Sequence, residues 1–422
     1  MTFIVISLLQ GACVKDRDLS EPEITWKQPA VQSRYAVTDT VDVDVTVTDE
    51  NQLVSIRMSI VNELLVAVTP SVQVTPETNT YHMVTTMPLD NIHLASGTYF
   101  VLIVASDGTH EKRAFREIIV DELPLERDAI LALMFSGTSP MIFKYDGLSV
   151  DTVVSPAMSD YSGSAINSWD RQVYLSGSVN GPVQAWDIDS RTLAWSKPGH
   201  LNLPWDTYEG VFSNQRTCYV MMTDGSVRGY DRQGISTYGV SFPTAFRTVM
   251  MAAHEDDLVM IQKGNGALRK LVMIQKEGTT GYQEVALDME VKQIFSRDPD
   301  HLMVFGNENG QGMMKEYTIS QNGFWEPHTL DAGPLYDAVQ LNANTYLISG
   351  NSGLRKYTYN PNSLTDLIPG IMPQCMAVDI SSGEVACASG KVLNIYDGNT
   401  GTLVDQAVFP DSVKQLHMLY NK

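Results

Sequence analysis

The sequence predicts an all-β fold with two domains, and three observations lead to this prediction. A short motif recurs seven times in the C-terminal two-thirds of the chain. The segment before these repeats alternates apolar and polar residues with the period of two that is typical of strands. The last stretch of the chain, residues 412–420, has the character of a strand that the first repeat lacks.

Each repeat consists of a short apolar strand, a Gly-rich turn and a second strand that carries an anchor residue. The anchors follow one another at intervals of 39 to 46 residues, and they are Tyr145, Trp186, Tyr230, Leu271, Tyr317, Tyr357 and Tyr396. A period of roughly 40–45 residues with about four strands per unit is typical of a β-propeller blade. We therefore predict a seven-bladed β-propeller over residues 128–422.

Six repeats begin with an additional upstream strand, whereas the first repeat follows the charged segment DELPLERD. The additional strands lie at 163–169, 209–214, 247–253, 292–298, 336–342 and 375–381. Residues 412–420 can supply the upstream strand that the first repeat lacks. The C-terminal strand is therefore expected to close the ring by pairing with residues 129–136. Closure would remove the sheet edges that an open ring exposes. The alternative is a frayed tail.

Residues 25–122 have a different sequence pattern, in which Val41, Val43, Val45 and Val47 alternate with polar residues. Several short strands separated by turn residues within about 100 residues predict an immunoglobulin-like β-sandwich. The stretch GTYFVLIVASDG, at 97–108, resembles the penultimate strand and turn of the Ig-like modules of bacterial surface proteins. We place the domain boundary between Asp121 and Arg127.

The first residues are predicted to be a targeting signal rather than part of the folded domains. An apolar run at 2–9 is followed by Gln10, Gly11, Ala12 and Cys13. Small residues before a cysteine resemble a bacterial lipoprotein cleavage site, which implies a signal peptide and a lipidated Cys13 within residues 1–13, and a linker at 14–24. The alternative is a hydrophobic N-terminus on a cytosolic protein.

Composition restricts the partners. The 422 residues include 29 Lys and Arg against 49 Asp and Glu, a net charge of −20. Nucleic acids and anionic lipid surfaces are disfavoured because phosphate binding relies on dense Lys and Arg. No apolar run approaches the roughly 20 residues that span a bilayer, so we expect membrane contact only through a lipid anchor.

Cysteine spacing predicts buried free thiols rather than a disulfide. A hairpin turn at Ser382–Gly383 would place Cys375 opposite Gly390 and Cys387 opposite Val378. The two thiols would then face opposite sides of the sheet.

The sequence contains none of the nucleophile-elbow, zinc-protease, C-x-x-C, EF-hand or Walker motifs. His254 and His301 fall in predicted turns, where we expect them to be exposed. The acid pairs Asp187/Asp189 and Asp224/Asp231 could suggest glycoside hydrolysis. An Asp after an aromatic residue recurs at several strand ends, however, so a turn role is favoured. We therefore expect no catalytic residues, no metal site and no cofactor.

A binding site is expected where the loops that enter the innermost strands meet around the ring axis. Aromatic, amide, acidic and basic side chains are interleaved there, which suits a polar, ring-shaped ligand such as a sugar. The candidate ligand-binding residues are Tyr161, Trp205, Tyr208, Arg247, Lys292, Tyr336 and Gln374. The alternative is that the aromatic residues cap the cores of the blades.

The predicted order of anchor, Ig-like domain and propeller resembles envelope lipoproteins of Bacteroidota, some of which lie beside outer-membrane uptake systems for glycans. The blades are also similar to quinoprotein-like and WD-type repeats. This resemblance implies an outer-membrane lipoprotein, periplasmic or surface-exposed, that captures a glycan or cofactor-like ligand without catalysis. The partner that it implies is an outer-membrane transporter. A glycan lyase or hydrolase acting at the axis and a structural or protein-interaction module of an envelope complex remain the alternatives.

Overall fold

The computed structural model describes residues 20–156, 158, 160–179, 181–199, 208–243, 245–275, 282–325 and 327–422. Within these ranges every regular element is a β-strand, which confirms the prediction of an all-β fold. The chain divides into two compact units, the first ending at Pro124 and the second beginning at Leu125. The described residues contain no helix long and apolar enough to cross a membrane.

The first unit contains eight strands. They are β1 (Glu23–Gln28), β2 (Ser33–Ala36), β3 (Thr40–Thr48), β4 (Ser55–Asn62), β5 (Val72–Val74), β6 (Thr80–Pro88), β7 (Gly97–Ser106) and β8 (Glu111–Asp121). One sheet has the strand order β1-β3-β6, and the other has the order β2-β8-β7-β4-β5. Strand β2 pairs with β8 in parallel, whereas the remaining pairs are antiparallel.

Alternation along β3 builds the core of this unit. Val41, Val43, Val45 and Val47 point inward and are buried, while the intervening polar residues face outward. The inward residues of the second sheet, Ile103 on β7 among them, belong to the same apolar cluster. The two sheets therefore share one core.

The second unit contains twenty-nine strands in its described residues, most of them four to nine residues long. They are β9 (Arg127–Ser136), β10 (Ser139–Tyr145), β11 (Val150–Val154), β12 (Gly163–Asn167), β13 (Gln172–Ser176), β14 (Val183–Asp187), β15 (Leu193–Lys197), β16 (Tyr208–Asn214), β17 (Thr217–Met222), β18 (Ser226–Tyr230), β19 (Ser236–Ser241), β20 (Phe246–His254), β21 (Asp257–Gly264), β22 (Arg269–Gln275), β23 (Gln283–Ala286), β24 (Glu290–Asp298), β25 (His301–Glu308), β26 (Gln311–Thr318), β27 (Gly323–Phe324), β28 (His328–Asp331), β29 (Leu335–Asn342), β30 (Thr345–Gly350), β31 (Gly353–Thr358), β32 (Ser363–Pro369), β33 (Cys375–Val378), β34 (Glu384–Ser389), β35 (Val392–Asp397), β36 (Leu403–Val408) and β37 (Gln415–Tyr420).

These strands form successive antiparallel sheets, each a meander of neighbouring strands. Their orders are β11-β10-β9-β37, β12-β13-β14-β15, β16-β17-β18-β19, β20-β21-β22-β23, β24-β25-β26-β27 with β28 also on β26, β29-β30-β31-β32, and β33-β34-β35-β36. One strand at the edge of each sheet faces the neighbouring sheets, and we call these the inner strands. They lie side by side in the order β12, β16, β20, β24, β29, β33 and β37, and β37 lies beside β12. The unit is therefore propeller-like, with a closed ring of inner strands.

The C-terminal strand completes the sheet that opens this unit. Strand β37 pairs antiparallel with β9, and His417 lies opposite Leu131. The inward residues Leu416 and Met418 join the core formed with the last sheet, and Leu419 joins the core formed with the next one. The pairing expected from the sequence is thus observed, and the first and last segments of the unit stabilise each other.

One predicted hairpin register is wrong. Cys375 lies opposite Ala388 rather than Gly390, and Cys387 lies opposite Met376 rather than Val378. The loop is longer than a two-residue turn because the Asp379 carboxylate accepts hydrogen bonds from the Ser381 amide at 2.9 Å and from two serine hydroxyls. The thiols still face opposite sides of the sheet and are buried and free, as expected.

Three of the four acidic residues in the pairs Asp187/Asp189 and Asp224/Asp231 organise turns, as predicted. Asp187, Asp224 and Asp231 each accept a backbone N–H from a residue two to four positions later, at 2.7 to 2.9 Å. Asp189 instead forms an ion pair with Arg171 at 2.8 Å. None of these four carboxylates therefore needs a catalytic explanation.

His254 contradicts the sequence-based expectation, because it is buried rather than exposed. Its Nδ1 lies 2.8 Å from the hydroxyl of Ser296, and its Nε2 lies 3.1 Å from the carbonyl oxygen of Pro299. The imidazole thus joins the end of β20 to the next inner strand, β24, a contact that no local pattern reveals.

Candidate functional site

A cavity of about 550 Å³ opens among the inner strands of the second unit. Five of these strands, β12, β16, β20, β24 and β37, contribute to its wall, so it lies inside the ring; we call it the axial cavity. Its wall is formed by Tyr161, Ser162, Gly163, Ser164, Ala165, Ile166, Glu209, Gly210, Val211, Phe212, Ser213, Met221, Val249, Met250, Met251, Lys292, Gln293, Gln415 and His417.

Strand alternation explains why polar residues reach this cavity. On β37, Gln415 and His417 line the axial cavity, whereas Leu416 and Met418 point into the core on the other side of the strand. Successive side chains of a strand face opposite sides. An inner strand that alternates amide or imidazole with aliphatic residues therefore packs one face and presents hydrogen-bonding groups with the other.

A hydrogen-bonded network occupies one side of the wall. The Tyr161 hydroxyl donates to Gln415 Oε1 at 2.9 Å, and the Ser164 hydroxyl donates to the same oxygen at 2.8 Å. His417 Nε2 lies 2.9 Å from Ser164 Oγ. Because the one hydroxyl hydrogen of Ser164 is used on Gln415, the contact is satisfied when His417 Nε2–H donates to Ser164.

The imidazole of His417 in this network is neutral because it is buried. Burial lowers the pKa of His417 to about 4, because desolvation disfavours the charged form. Burial also raises the pKa of the Tyr161 hydroxyl well above its usual range. A general base works best when its pKa is near the operating pH. The Ser164–His417 pair is therefore a hydrogen-bonding pair, poorly suited to activating a nucleophile at neutral pH.

Charged groups around the axial cavity occur as compensated pairs. Arg247 Nη1 lies 2.6 Å from Glu209 Oε1, and Lys292 Nζ lies 2.9 Å from Glu290 Oε1. The hydrogen bond and charge of Lys292 hold the pKa of Glu290 below its usual range. The cavity thus carries little net charge, in contrast to the acidic chain as a whole.

A buried carboxylate fixes the inner strands behind this wall. Asp337 on β29 accepts hydrogen bonds from Gln293 Nε2 of β24 at 2.9 Å and from the backbone N–H of Met376 on β33 at 2.7 Å. It also accepts the backbone N–H of Ala338 at 2.8 Å. Burial raises the pKa of Asp337 to about 6 despite these donors. Three consecutive inner strands are joined at this one residue.

The structure brings only part of the predicted ligand set to the axial cavity. Tyr161 and Lys292 line it, and Arg247 reaches its rim through the ion pair with Glu209. Tyr208 does not line it: its ring is buried in an apolar cluster and its hydroxyl donates to the carbonyl oxygen of Pro198 at 2.9 Å.

The remaining predictions lie elsewhere. The Tyr336 hydroxyl donates to Asn351 Oδ1 at 2.5 Å, and Gln374 Nε2 donates to the carbonyl oxygen of Met372 at 3.3 Å. Neither Tyr336 nor Gln374 is part of the cavity wall. Trp205 and Cys13 lie outside the described residues.

The sequence-based prediction did not include Ser164, Gln293 or Gln415 among the ligand-binding residues, and it favoured a packed role over a binding role for His417. It considered the loops that enter the inner strands, whereas the wall is built mainly by the strands themselves. The signal was present in SVKQLHMLY, where Gln415 and His417 stand at alternate positions of the strand assigned to ring closure. Polar residues at alternate positions of a strand indicate that one of its faces is polar.

The described residues contain no group of three or more His, Cys, Asp or Glu side chains that could hold a metal ion. The three described cysteines are buried, and burial raises the thiol pKa of each of them. A thiol is nucleophilic only as the thiolate. What the axial cavity offers is therefore hydroxyl, amide and imidazole hydrogen bonding next to apolar surface.

The sequence matches no protein-family model and no curated protein. Among solved structures, the chain is similar to the computationally designed protein Ika8, with 13% identity, a TM-score of 0.48 and coverage of 68% of this chain and 89% of that one. It is also similar to a chain of a mitotic checkpoint complex, with 12% identity, a TM-score of 0.49 and coverage of 60% and 82%, respectively.

Proposed function

We propose that this chain is a non-catalytic binding protein whose second unit is a seven-bladed β-propeller and whose first unit is an Ig-like β-sandwich. The ligand is a neutral, polar, ring-containing molecule, a glycan unit or a cofactor-like compound, held in the axial cavity. The observation that carries the proposal is the wall of that cavity, in which five inner strands combine amide, hydroxyl and imidazole groups with apolar side chains.

The architecture supports this proposal. A ring of seven inner strands, each starting a sheet and closed by β37, is the arrangement expected of propeller blades. Two sheets over one core in the first unit suit a β-sandwich. The fold alone does not choose a function, so the ligand class rests on the cavity.

The dimensions and chemistry of the axial cavity suit a small ligand. Its volume of about 550 Å³ lies in the range of roughly 300–1,000 Å³ that is typical of ligand pockets. Gln293 and Gln415 each keep amide hydrogen-bonding capacity beyond their contacts with Asp337 and Ser164, and this capacity suits the hydroxyls of a sugar ring. Met250 and Val249 provide apolar surface for its C–H groups. The compensated pairs Arg247–Glu209 and Lys292–Glu290 favour a neutral ligand over an ionic one.

A location in the cell envelope is part of the same proposal. Cys13, preceded by small residues, would carry the lipid that anchors the chain to an outer membrane, beside a transporter that receives the ligand. Metabolic labelling with a palmitate analogue tests this directly. We expect label on the wild-type chain and none on Cys13→Ser, and equal labelling of the two chains would remove the anchor from the proposal.

Calorimetric titration with a panel of neutral oligosaccharides tests the ligand class. Gln415→Ala removes one amide from the wall, and Lys292→Ala removes the one Lys in it. A hydrogen bond contributes about 0.5–1.5 kcal/mol, so each variant should weaken binding about 2- to 10-fold. Asp256→Ala, at an exposed turn beyond the far end of β20, is the matched control.

Three outcomes separate the candidate functions. Weaker binding by the two wall variants and unchanged binding by Asp256→Ala would support the proposal. Release of a shortened product from any member of the panel would replace it with a glycan lyase or hydrolase. Binding of none of the saccharides, together with capture of an envelope protein that Gln415→Ala does not affect, would favour an interaction module.

A further inference from the structure

Two short strands form the outer edge of one sheet in the second unit, and a second cavity lies near them. β27 and β28 both pair with β26, and Trp325 stands between them with 55% of its surface exposed. A cavity of about 650 Å³ lies beside it, which we call the side pocket. Its lining residues are Asp300, His301, Glu316, Thr318, Gln321, Trp325, His328 and Tyr359.

Trp325 is held in place although it is exposed. Its indole Nε1 donates to Thr318 Oγ1 at 2.6 Å, and its backbone N–H donates to the carbonyl oxygen of Glu316 at 2.9 Å. An exposed indole that is fixed at both its ring nitrogen and its backbone presents an apolar surface in one orientation. Such a ring loses little conformational entropy when a ligand stacks on it.

The floor of the side pocket is a preorganised polar group. Glu316 Oε1 lies 3.0 Å from Arg297 Nη1, and the Tyr359 hydroxyl donates to Glu316 Oε2 at 3.0 Å. The guanidinium of Arg297 in turn lies over the ring of Tyr359, 4.0 Å from its centroid. These contacts join two neighbouring sheets and hold the Glu316 carboxylate where a ligand can reach its remaining lone pairs.

Two imidazoles complete the lining. His301 Nδ1 lies 2.6 Å from Asp298 Oδ1, which leaves Nε2 directed toward Glu316 at 3.6 Å. A separation of 3.6 Å is too long for a hydrogen bond, so this nitrogen keeps its capacity for a ligand. His328 Nδ1 lies 3.4 Å from Asn362 Nδ2, and its other ring nitrogen can also serve a ligand.

We propose that the side pocket is a second binding site, which takes one neutral saccharide unit. The C–H face of a sugar ring would stack on the indole of Trp325, and its adjacent hydroxyls would donate to the carboxylates of Glu316 and Asp300. Because Nδ1–H of His301 donates to Asp298, Nε2 of the neutral ring accepts from a sugar hydroxyl, whereas Nε2–H of His328 donates to one. Carboxylates disfavour an anionic sugar, because like charges repel. The inference shares its ligand class with the proposed function, but the site is separate from the axial cavity.

One polymeric ligand can occupy both sites only where its length spans the distance between them. A glycan chain that reaches both would bind more tightly than either site alone through effective concentration. Single sugar units would not show this gain.

The test is titration of the full chain with neutral hexasaccharides: β-1,4-glucan, β-1,3-glucan, α-1,4-glucan, β-1,4-mannan and β-1,4-xylan. A chitosan hexamer and a polygalacturonate hexamer serve as cationic and anionic probes. Trp325→Ala and the exposed Gln321→Ala alter the side pocket, and Trp325→Phe keeps an aromatic surface. Trp169→Ala is the matched control. Trp169 is an exposed tryptophan like Trp325, but it follows the inner strand β12 and does not line the side pocket.

We expect Trp325→Ala to weaken binding of at least one neutral hexasaccharide about tenfold and Trp325→Phe to restore most of it. Trp169→Ala should change nothing. If Trp325→Ala lowers the melting temperature, Gln321→Ala provides the readout. Unchanged binding by both side-pocket variants, or loss confined to the chitosan or polygalacturonate probe, would overturn the inference.

This experiment can reject the proposal for one site without rejecting the proposal for the other. Binding that is weakened only by Gln415→Ala would retain the axial cavity and reject the side pocket. Binding that is weakened only by Trp325→Ala would do the reverse. Binding of no hexasaccharide would reject both.

Discussion

Gln293 Nε2 donates a hydrogen bond to Asp337 Oδ1 across 2.9 Å, although the two residues belong to the first strands of two different sheets. Gln293 also lines the axial cavity, so one amide connects the wall of the candidate site to a buried carboxylate. Asp337 extends this connection to β33 through the backbone of Met376. One amide therefore links the wall of the cavity to a buried titratable group.

Asp337 should make the protein less stable as pH rises. Its pKa is about 6 in the folded chain against a usual value of 3.8, so the folded state binds the extra proton. That contribution is fully present below about pH 4 and is lost as pH rises through about 6, by an amount on the order of 3 kcal/mol. Urea unfolding of wild type and Asp337→Asn between pH 4 and 7 should show this loss only in the wild type. Parallel profiles for the two chains would contradict it.

His417 should have the opposite effect. Its folded pKa of about 4 lies below the usual 6.5, so the unfolded state binds the proton preferentially. The stabilisation is present above about pH 6.5 and is lost as pH falls toward 4, by up to about 3 kcal/mol. His417→Gln should unfold with a smaller loss of stability in acid than the wild type. An acid profile identical to that of the wild type would show that the imidazole is solvated in the folded chain.

Removal of the closing strand should unfold the second unit. A chain that ends at Asp411 lacks β37 and leaves β9 as an open edge, and it loses the buried side chains of Leu416, Met418 and Leu419. Each such side chain contributes about 1.5–3 kcal/mol, so the three together approach the roughly 5–15 kcal/mol that stabilises a typical domain.

Thermal melting measures the effect, and a chain that ends at Tyr420 is the matched control. We expect the shorter chain to melt at least about 10 °C lower or not to fold. The control loses only the contacts of Asn421 and Lys422, such as the hydrogen bonds between Asn421 and Glu126, and should melt much closer to the full chain. A melting temperature within a degree of wild type for the chain ending at Asp411 would refute the stabilising role of β37.

The described cysteines should be chemically silent in the folded chain. Cys218, Cys375 and Cys387 are buried, and burial raises the pKa of the Cys375 thiol to about 12, so little thiolate exists at neutral pH. Treatment with iodoacetamide followed by peptide mapping should label these three positions only after denaturation. Labelling of Cys387 at the rate of an unfolded control would show that its sheet opens readily.

Local patterns predicted most of the strands. The period-two alternation at Val41–Val47 marks a strand with one buried face, and Asp187 and Asp231 mark the turns that follow anchor residues. These signals are short-range, because strand alternation and turn capping depend on neighbours within a few residues. The hairpin at 379–384 shows their limit, since the side chain of Asp379 lengthens the loop and shifts the pairing of Cys375.

The candidate site was predicted less completely. Tyr161 and Lys292 reach the axial cavity, but Tyr208 packs into a core and Tyr336 binds Asn351. A loop position tells which strand a side chain precedes but not which way the side chain turns. The wall residues on β12 and β37 come from strands that are about 250 positions apart in the chain, as the contact of Ser164 with Gln415 shows.

The sequence by itself determined the all-β class, the seven-fold recurrence and the segment that completes the first sheet of the second unit. Repeats and alternation can be recognised from the order of the residues alone. Only the tertiary structure decided that His254 is buried, that Asp337 joins three inner strands and that Trp325 stands over a pocket. Those features depend on which strands become neighbours when the ring closes. Burial and hydrogen-bonding partners between strands distant in the chain are set by packing, which local composition does not encode.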